Sequence, residues 1–241
     1  MGETATGQLM TATRISEAGE ARQVLAISSS PRRKGNSRLL AEAVLAGAAE
    51  KGHRVELVHV ADHVDGMLRN CRECRRPDGT CSIDDDYGNV FLTKFLPADG
   101  IVLATPIWWY GMSGLLKTFL DRMFCYIAIS HPDNAAIREQ LAGKRLALVL
   151  SAEESNFAAR LGIVHQVQEL CRYLHFQFVG VVTGIGNSTG EASDDPNEPL
   201  GSARELGRRL FTTVETDYKL DTDRPGQVWA ADRSRFPASW R

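Results

Sequence analysis

The sequence predicts a doubly wound α/β domain on a five-stranded parallel sheet, and three observations carry that expectation. Short apolar runs of strand length recur down the chain, segments with helical periodicity separate them, and the first strand, helix and second strand fit within about 40 residues. "QVLAIS" (23–28) is the first strand. After a polar loop, Leu39, Leu40, Ala43, Val44 and Ala48 recur at the three-to-four spacing of a helix face until Gly52 ends it. "HRVELVHV" then alternates as a second strand. "GIVLAT" (100–105) is the third, followed by a helix over about 112–125 on Leu115, Leu116, Phe119, Leu120 and Met123. "RLALVLS" (145–151) is the fourth strand, followed by a helix on Val164, Val167, Cys171 and Leu174. "FVGVVTGIG" is the fifth, with a last helix near 199–215. Apolar strands separated by helices are covered on both faces. The expected domain spans 22–216, between a polar, aperiodic N-terminal arm (1–21) and an irregular C-terminal tail (217–241).

Composition narrows the function. A chain of 241 residues with 43% hydrophobic content can bury one full core. A formal charge of −2 lacks the basic excess of a nucleic-acid binder. The first 23 residues hold no continuous apolar run of the signal-peptide kind, and no segment approaches the ~20 apolar residues of a membrane helix. Five cysteines, an odd number, agree with a reducing compartment. The expectation is a soluble, cytoplasmic protein that engages neither nucleic acid nor membrane.

The loop "SSSPRRKGNS" (28–37) joins the first strand to the first helix, at the sheet end where doubly wound folds bind ligands. Unpaired N–H groups and the positive end of the dipole at a helix start suit an oxyanion. Ser28, Ser29, Ser30 and Ser37 offer hydroxyls, Asn36 an amide or a helix cap, Gly35 close backbone approach, and Arg32, Arg33 and Lys34 charge. A phosphate suits such a loop; an ordinary helix cap with solvated cations is the alternative. The loop matches neither GxGxxG nor GxxxxGK[ST]. A second loop, within "ATPIWWYGMSGLLKTFLDR" (104–122), carries Trp108, Trp109 and Tyr110 between Pro106 and Gly111 at the same end. Those faces can stack on a planar ring, or cap the core or a subunit contact.

These two stretches resemble the flavodoxin-like NAD(P)H-dependent FMN reductase family, which reads roughly GSPR-x-GN[ST] and then SP-[IV]-Y-aromatic-G, LK-x-F-[IL]-DR. The family is related to iron–sulfur flavoproteins and quinone reductases. The resemblance spans about residues 23–185 and implies sheet order 2-1-3-4-5 and one FMN per subunit. The FMN phosphate would sit among Ser28, Ser30, Arg32, Asn36 and Ser37, and the ring against Pro106, Ile107, Trp108, Trp109, Tyr110, Gly111 and Met112. It also implies a homodimer or tetramer, and hydride passing from NADH or NADPH through FMN to a small-molecule acceptor in a ping-pong cycle. That acceptor would be a quinone, an azo or nitro aromatic, free flavin or a biosynthetic intermediate; the chemistry is borne by the flavin, with no single catalytic side chain. Two other readings stay open: a flavodoxin-like or iron–sulfur electron-transfer protein, and a protein that kept the fold and lost the flavin. One departure from the family is "AEESNF" after the fourth strand, where Glu153 and Glu154 replace a Gly-rich loop.

Cys71, Cys74 and Cys81 form CxxCx6C. The related iron–sulfur flavoproteins carry four cysteines in this loop, and Pro77 stands where their third would fall, so no cluster or other metal is expected. Zinc has no assignable fourth ligand. His131, with Pro132 and Asp133, is placed to border the pocket after the third helix, but a lone loop histidine is more often solvated than catalytic, and Asp121–Arg122 reads as a structural or interface pair. No nucleophile–base or paired-carboxylate hydrolytic set can be placed.

Overall fold

The computed structural model describes residues 20–70 and 75–213. The arm, the tail, and Cys71 and Cys74 therefore lie wholly or mainly outside the described residues. Strands β1 (Gln23–Ser28), β2 (Arg54–His59), β3 (Gly100–Trp108), β5 (Arg145–Ala152) and β6 (Gln177–Ile185) form a parallel sheet in the order β2-β1-β3-β5-β6. The short β4 (Gly111–Met112) pairs antiparallel with the end of β3. With β4 set aside as a hairpin arm, the order is the expected 2-1-3-4-5.

Alternation of side chains along each strand divides the core into two layers. Val24, Ala26, Val102, Ala104, Ala147 and Val149 face α1 (Asn36–Ala49) and α7 (Pro199–Arg208). Leu25, Ile27, Ile101, Leu103, Leu146 and Leu148 face the other side. That side is covered by α2 (Tyr87–Val90) with its π-helical extension (Phe91–Phe95), α3 (Gly114–Arg122), α4 (Phe124–Ile127), α5 (Asn134–Leu141) and α6 (Ala158–Leu174).

On the first face, α1 and α7 touch backbone to backbone. A methyl at Gly47 would fall 1.9 Å from the Arg204 carbonyl oxygen, and one at Gly207 1.9 Å from that of Val44. Gly47→Ala must therefore push the helices apart, and a loss of about 3 kcal/mol is expected in denaturant unfolding. Gly201→Ala, in open space on α7, should cost nothing comparable.

Beneath the second face, Arg122 and Asp85 form an ion pair whose side chains are each 1% exposed. Arg122 also donates to the Gly66 carbonyl (3.0 Å) and approaches Cys81 Sγ (3.7 Å), with its guanidinium 4.3 Å from the Tyr87 ring centroid. Asp85 accepts from the N–H groups of Asp65 (3.0 Å) and Gly66 (3.3 Å). Arg122 thus pins the 65–66 turn and the end of the cysteine loop onto α3. Its sequence neighbour Asp121 pairs separately with Lys117, so the two residues divide into a buried tie and a surface pair.

At the opposite edge of the sheet from the ligand loops, Lys144 is buried and donates to the carbonyls of Leu96 (2.7 Å) and Ala98. Burial lowers its pKa to about 8, against a smaller upward pull from Asp99. Between about pH 8 and the unfolded value of 10.5 the unfolded chain holds the extra proton, so stability should rise with pH across that window. Lys144→Met should remove that rise from the pH profile of urea unfolding.

Four expectations are corrected. The third strand runs on to Trp108, because residues 111–112 fold back on it. The helix expected over 112–125 consequently starts at Gly114, and Arg122 ends it before the separate turn of α4. His131 is buried rather than solvated: its Nδ1 accepts from the Asp133 N–H (3.0 Å), and its ring lies 5.5 Å from that of Tyr126. The last helix stops at Arg208. Helix α2 with its π-helical extension, and α5, have no counterpart among the expected elements.

Candidate functional site

The loops after β1, β3, β5 and β6 all leave the carboxyl edge of the sheet, where a doubly wound fold opens a crevice. At the first, Gly35 occupies the cap position of α1 with extended backbone and no side chain caps the helix, which removes the support for an ordinary side-chain cap. Arg38 and Leu39 N–H groups reach back to the Gly35 carbonyl (3.0 and 3.2 Å), while those of Asn36 and Ser37 head the helix without such a bond. Ser28 Oγ and Ser37 Oγ are fully buried and have no hydrogen-bond partner. Two orphaned hydroxyls beside open helix amides fit a bound oxyanion, since an unmet buried hydroxyl is costly. Gly35 keeps the cradle open: a methyl there would lie 2.7 Å from Ser30 Oγ and 3.1 Å from the Arg32 carbonyl oxygen. Ser30 Oγ accepts from the Arg32 N–H (3.1 Å), shaping the loop from within.

Asn36 serves differently from a direct donor. Its amide donates to the carbonyls of Gly186 and Ser188 (2.9 Å each), and its oxygen accepts from the N–H groups of Gly190 (2.9 Å) and Ala192 (3.3 Å). All its hydrogen-bonding capacity goes into the loop after β6, fixing that loop as the cradle's far wall. Glu191 tightens the same loop by accepting from the Asn187 and Ser188 N–H groups (2.8 Å each), which hold its carboxyl below the usual range. Arg32 bridges the rim to the Asn187 carbonyl (2.8 Å). Arg33 turns instead to Asp62, and Lys34 stays exposed. Asn187 also donates to Glu153 (3.2 Å), which gives that unexpected carboxylate a partner in the wall.

At the second loop, Ile107 pairs with Met112 and Trp108 with Gly111, closing a two-residue hairpin on Trp109 and Tyr110. Both turn residues are left-handed, with φ of 49° and 61°. Such a turn normally takes Asn-Gly, and holding two aromatic residues in it costs of order 1 kcal/mol each. Trp109 is 96% exposed, and Trp108 and Tyr110 are more than half exposed. Pro106, Ile107 and Gly111 are half-buried, and Met112 is buried beneath them. The strained turn thus raises three aromatic faces into water at the same edge of the sheet as the 28–37 loop.

Sequence reasoning missed three parts of this edge. The wall at 186–192 carries no motif, and only coordinates bring it to Asn36. Ser113, the cap of α3, was signalled by its place before "GLLKTFL". His59, at the end of β2 in register with Ser28, is buried with Nδ1 unpartnered, and burial lowers its pKa. In the cysteine motif, Cys81 is buried and bridges to Arg75 across a turn. A groove of about 580 Å³ between β6 and α7, lined by Val179, Val181, Glu205, Leu206 and Arg209, lies on the sheet edge apart from these loops.

The model of NADPH-dependent FMN reductases matches residues 22–190. An iron–sulfur flavoprotein of Archaeoglobus fulgidus is 33% identical over 205 residues, covering 82% of this chain and 98% of that protein. YwqN of Bacillus subtilis, described as an NAD(P)H-dependent FMN-containing oxidoreductase, is 25% identical over 187 residues, 78% of this chain and 97% of its own. Among solved structures, the NAD(P)H:quinone oxidoreductase from Methanothermobacter marburgensis superposes with a TM-score of 0.62 at 20% identity, over 82% of this chain and all of that one, a likeness of fold. No helix among the described residues is long and apolar enough to cross a membrane. The cradle, the aromatic hairpin and a family match over most of the chain agree: this protein belongs to the NADPH-dependent FMN reductase family and is an NAD(P)H-dependent FMN oxidoreductase.

Proposed function

We propose that this chain passes hydride from NADPH or NADH, by way of FMN, to a small aromatic or quinone-like acceptor or to free flavin. One observation carries the reading: two buried, orphaned serine hydroxyls and two open helix amides stand one strand away from a hairpin of exposed aromatic residues. The pairing suits a ligand with a phosphate at one end and a flat ring at the other. FMN, when bound, supplies the redox chemistry itself. Ser28 and Ser37 would donate to its phosphate together with the Asn36 and Ser37 N–H groups, and Arg32 would add charge at the rim. Pro106 to Met112 would flank the ring, with Trp108, Trp109 and Tyr110 excluding water and bounding the acceptor's place. No side chain is needed as a proton donor of fixed pKa. A cytoplasmic setting and a homodimer or tetramer belong to the same reading, Trp109, Phe157 and Leu161 giving exposed apolar surface that a second copy could cover.

The phosphate half of the reading is tested by titrating the protein with FMN and with riboflavin. FMN should bind one per chain, and riboflavin at least tenfold more weakly, since charge-assisted hydrogen bonds are worth ~1.5–3 kcal/mol. Equal affinity would remove the phosphate from the account. Electron transfer from a partner protein is the second reading, favoured by the iron–sulfur flavoproteins among the relatives. It requires bound iron or reduction by a protein donor in place of nicotinamide nucleotide.

A further inference from the structure

One buried cluster joins the two halves of the site and has no part in holding either end of the ligand. Ser29, Thr105 and Ser113 are all fully buried. The Leu116 N–H donates to Ser113 Oγ (3.2 Å), Ser113 Oγ donates to Ser29 Oγ (2.8 Å), and Ser29 Oγ donates to the Ala104 carbonyl (3.0 Å). Beside them the Ser113 N–H donates to Thr105 Oγ1 (2.9 Å), whose own proton goes to the Pro106 carbonyl (2.9 Å). The Ser113 hydroxyl also lies 3.3 Å from the Ser29 carbonyl oxygen, so both of its acceptors, the nearer being Ser29 Oγ, belong to Ser29. Capping α3 needs only the acceptor side of Ser113. Its proton is spent instead on the phosphate loop, 84 residues earlier in the chain.

We propose that Ser113 is a positioning residue whose hydroxyl proton locks the aromatic hairpin to the phosphate cradle, so that an anion in the cradle strengthens binding of the ring. The proposal rests on the flavin reading above. Ser29 lies between the cradle's Ser28 and Ser30, and Ser113 follows Met112 at the foot of the hairpin. The bond between them lies in the dry interior, where it is directional and strong, so the cradle loop at Ser29 and the foot of the hairpin at Ser113 are held in one fixed relation. By linkage the ring must favour the anion by the same factor.

The probe is riboflavin, which lacks the phosphate, titrated into the full chain with and without inorganic phosphate. Phosphate should tighten riboflavin about fivefold in the wild type, the worth of one buried hydrogen bond. In Ser113→Ala and in Ser29→Ala that factor should fall to near one, and Ser113→Thr, which keeps both hydroxyl and cap, should restore it. Ser29→Ala leaves the Leu116 bond in place and serves if Ser113→Ala fails to fold. A cap role alone would lower the melting temperature of Ser113→Ala without moving the phosphate factor, and that result overturns the proposal. FMN binding to the wild type with no phosphate effect on riboflavin overturns the coupling and spares the flavin reading. Failure of the wild type to bind FMN or riboflavin overturns both.

Discussion

Ser37→Ala should lose ~10- to 100-fold in FMN affinity while the protein without flavin becomes no less stable. The two effects separate because Ser37 Oγ is fully buried without a partner. An orphaned hydroxyl is a standing cost of ~1–3 kcal/mol in the empty protein, and alanine removes it. Occupied by phosphate, the same hydroxyl makes a charge-assisted bond worth ~1.5–3 kcal/mol, which alanine forfeits. FMN titration and urea unfolding of the flavin-free protein measure the two sides. A structural serine would behave oppositely, losing stability and leaving FMN affinity unchanged.

Arg122→Met should be the most destabilising single change at a polar residue, at about 3–5 kcal/mol, because it leaves the Asp85 carboxylate buried without its cation. The double change Asp85→Asn with Arg122→Met should recover part of that loss, as partners in contact couple strongly. The pair also sets an acid limit. Burial raises the Asp85 pKa, but the Arg122 bond and the N–H groups of Asp65 and Gly66 outweigh it and hold the carboxyl below its ordinary value of 3.8. A carboxylate with a lowered folded pKa stabilises above its unfolded value and loses that contribution as pH falls through the folded one. Acid unfolding below about pH 4 should therefore be shallower in Asp85→Asn.

Much of this was legible in the residues. Apolar runs bounded by helical spacing gave the sheet and its order of elements, since a strand covered on both faces must be apolar throughout. The loop stood out because serine, glycine and asparagine between a strand and a helix suit an oxyanion or a helix cap, and Gly35 at the cap position, with no side chain capping α1, favours the first. What escaped was tertiary in origin. Asn36 looked like a phosphate donor, and only the approach of the 186–192 loop reveals that its amide is fully engaged elsewhere. Nothing in "PIWWYGM" announces a hairpin, because Trp-Tyr is a poor turn pair; the strain is imposed by the pairing of β3 with β4. Arg122 could not be matched to Asp85 by any helical or strand period, being 37 residues away. Glu153, a departure from the family pattern, finds its partner in Asn187, again across a loop no period predicts.

The central claim is that the cradle and hairpin hold FMN where NADPH or NADH can reduce it. The most direct measurement is the absorption spectrum of the FMN-loaded protein before and after each nucleotide is added in an anaerobic cuvette. The account predicts flavin bands near ~450 nm that bleach with at least one of the two and return when a quinone is admitted. Bound flavin that keeps its colour with both nucleotides would contradict it.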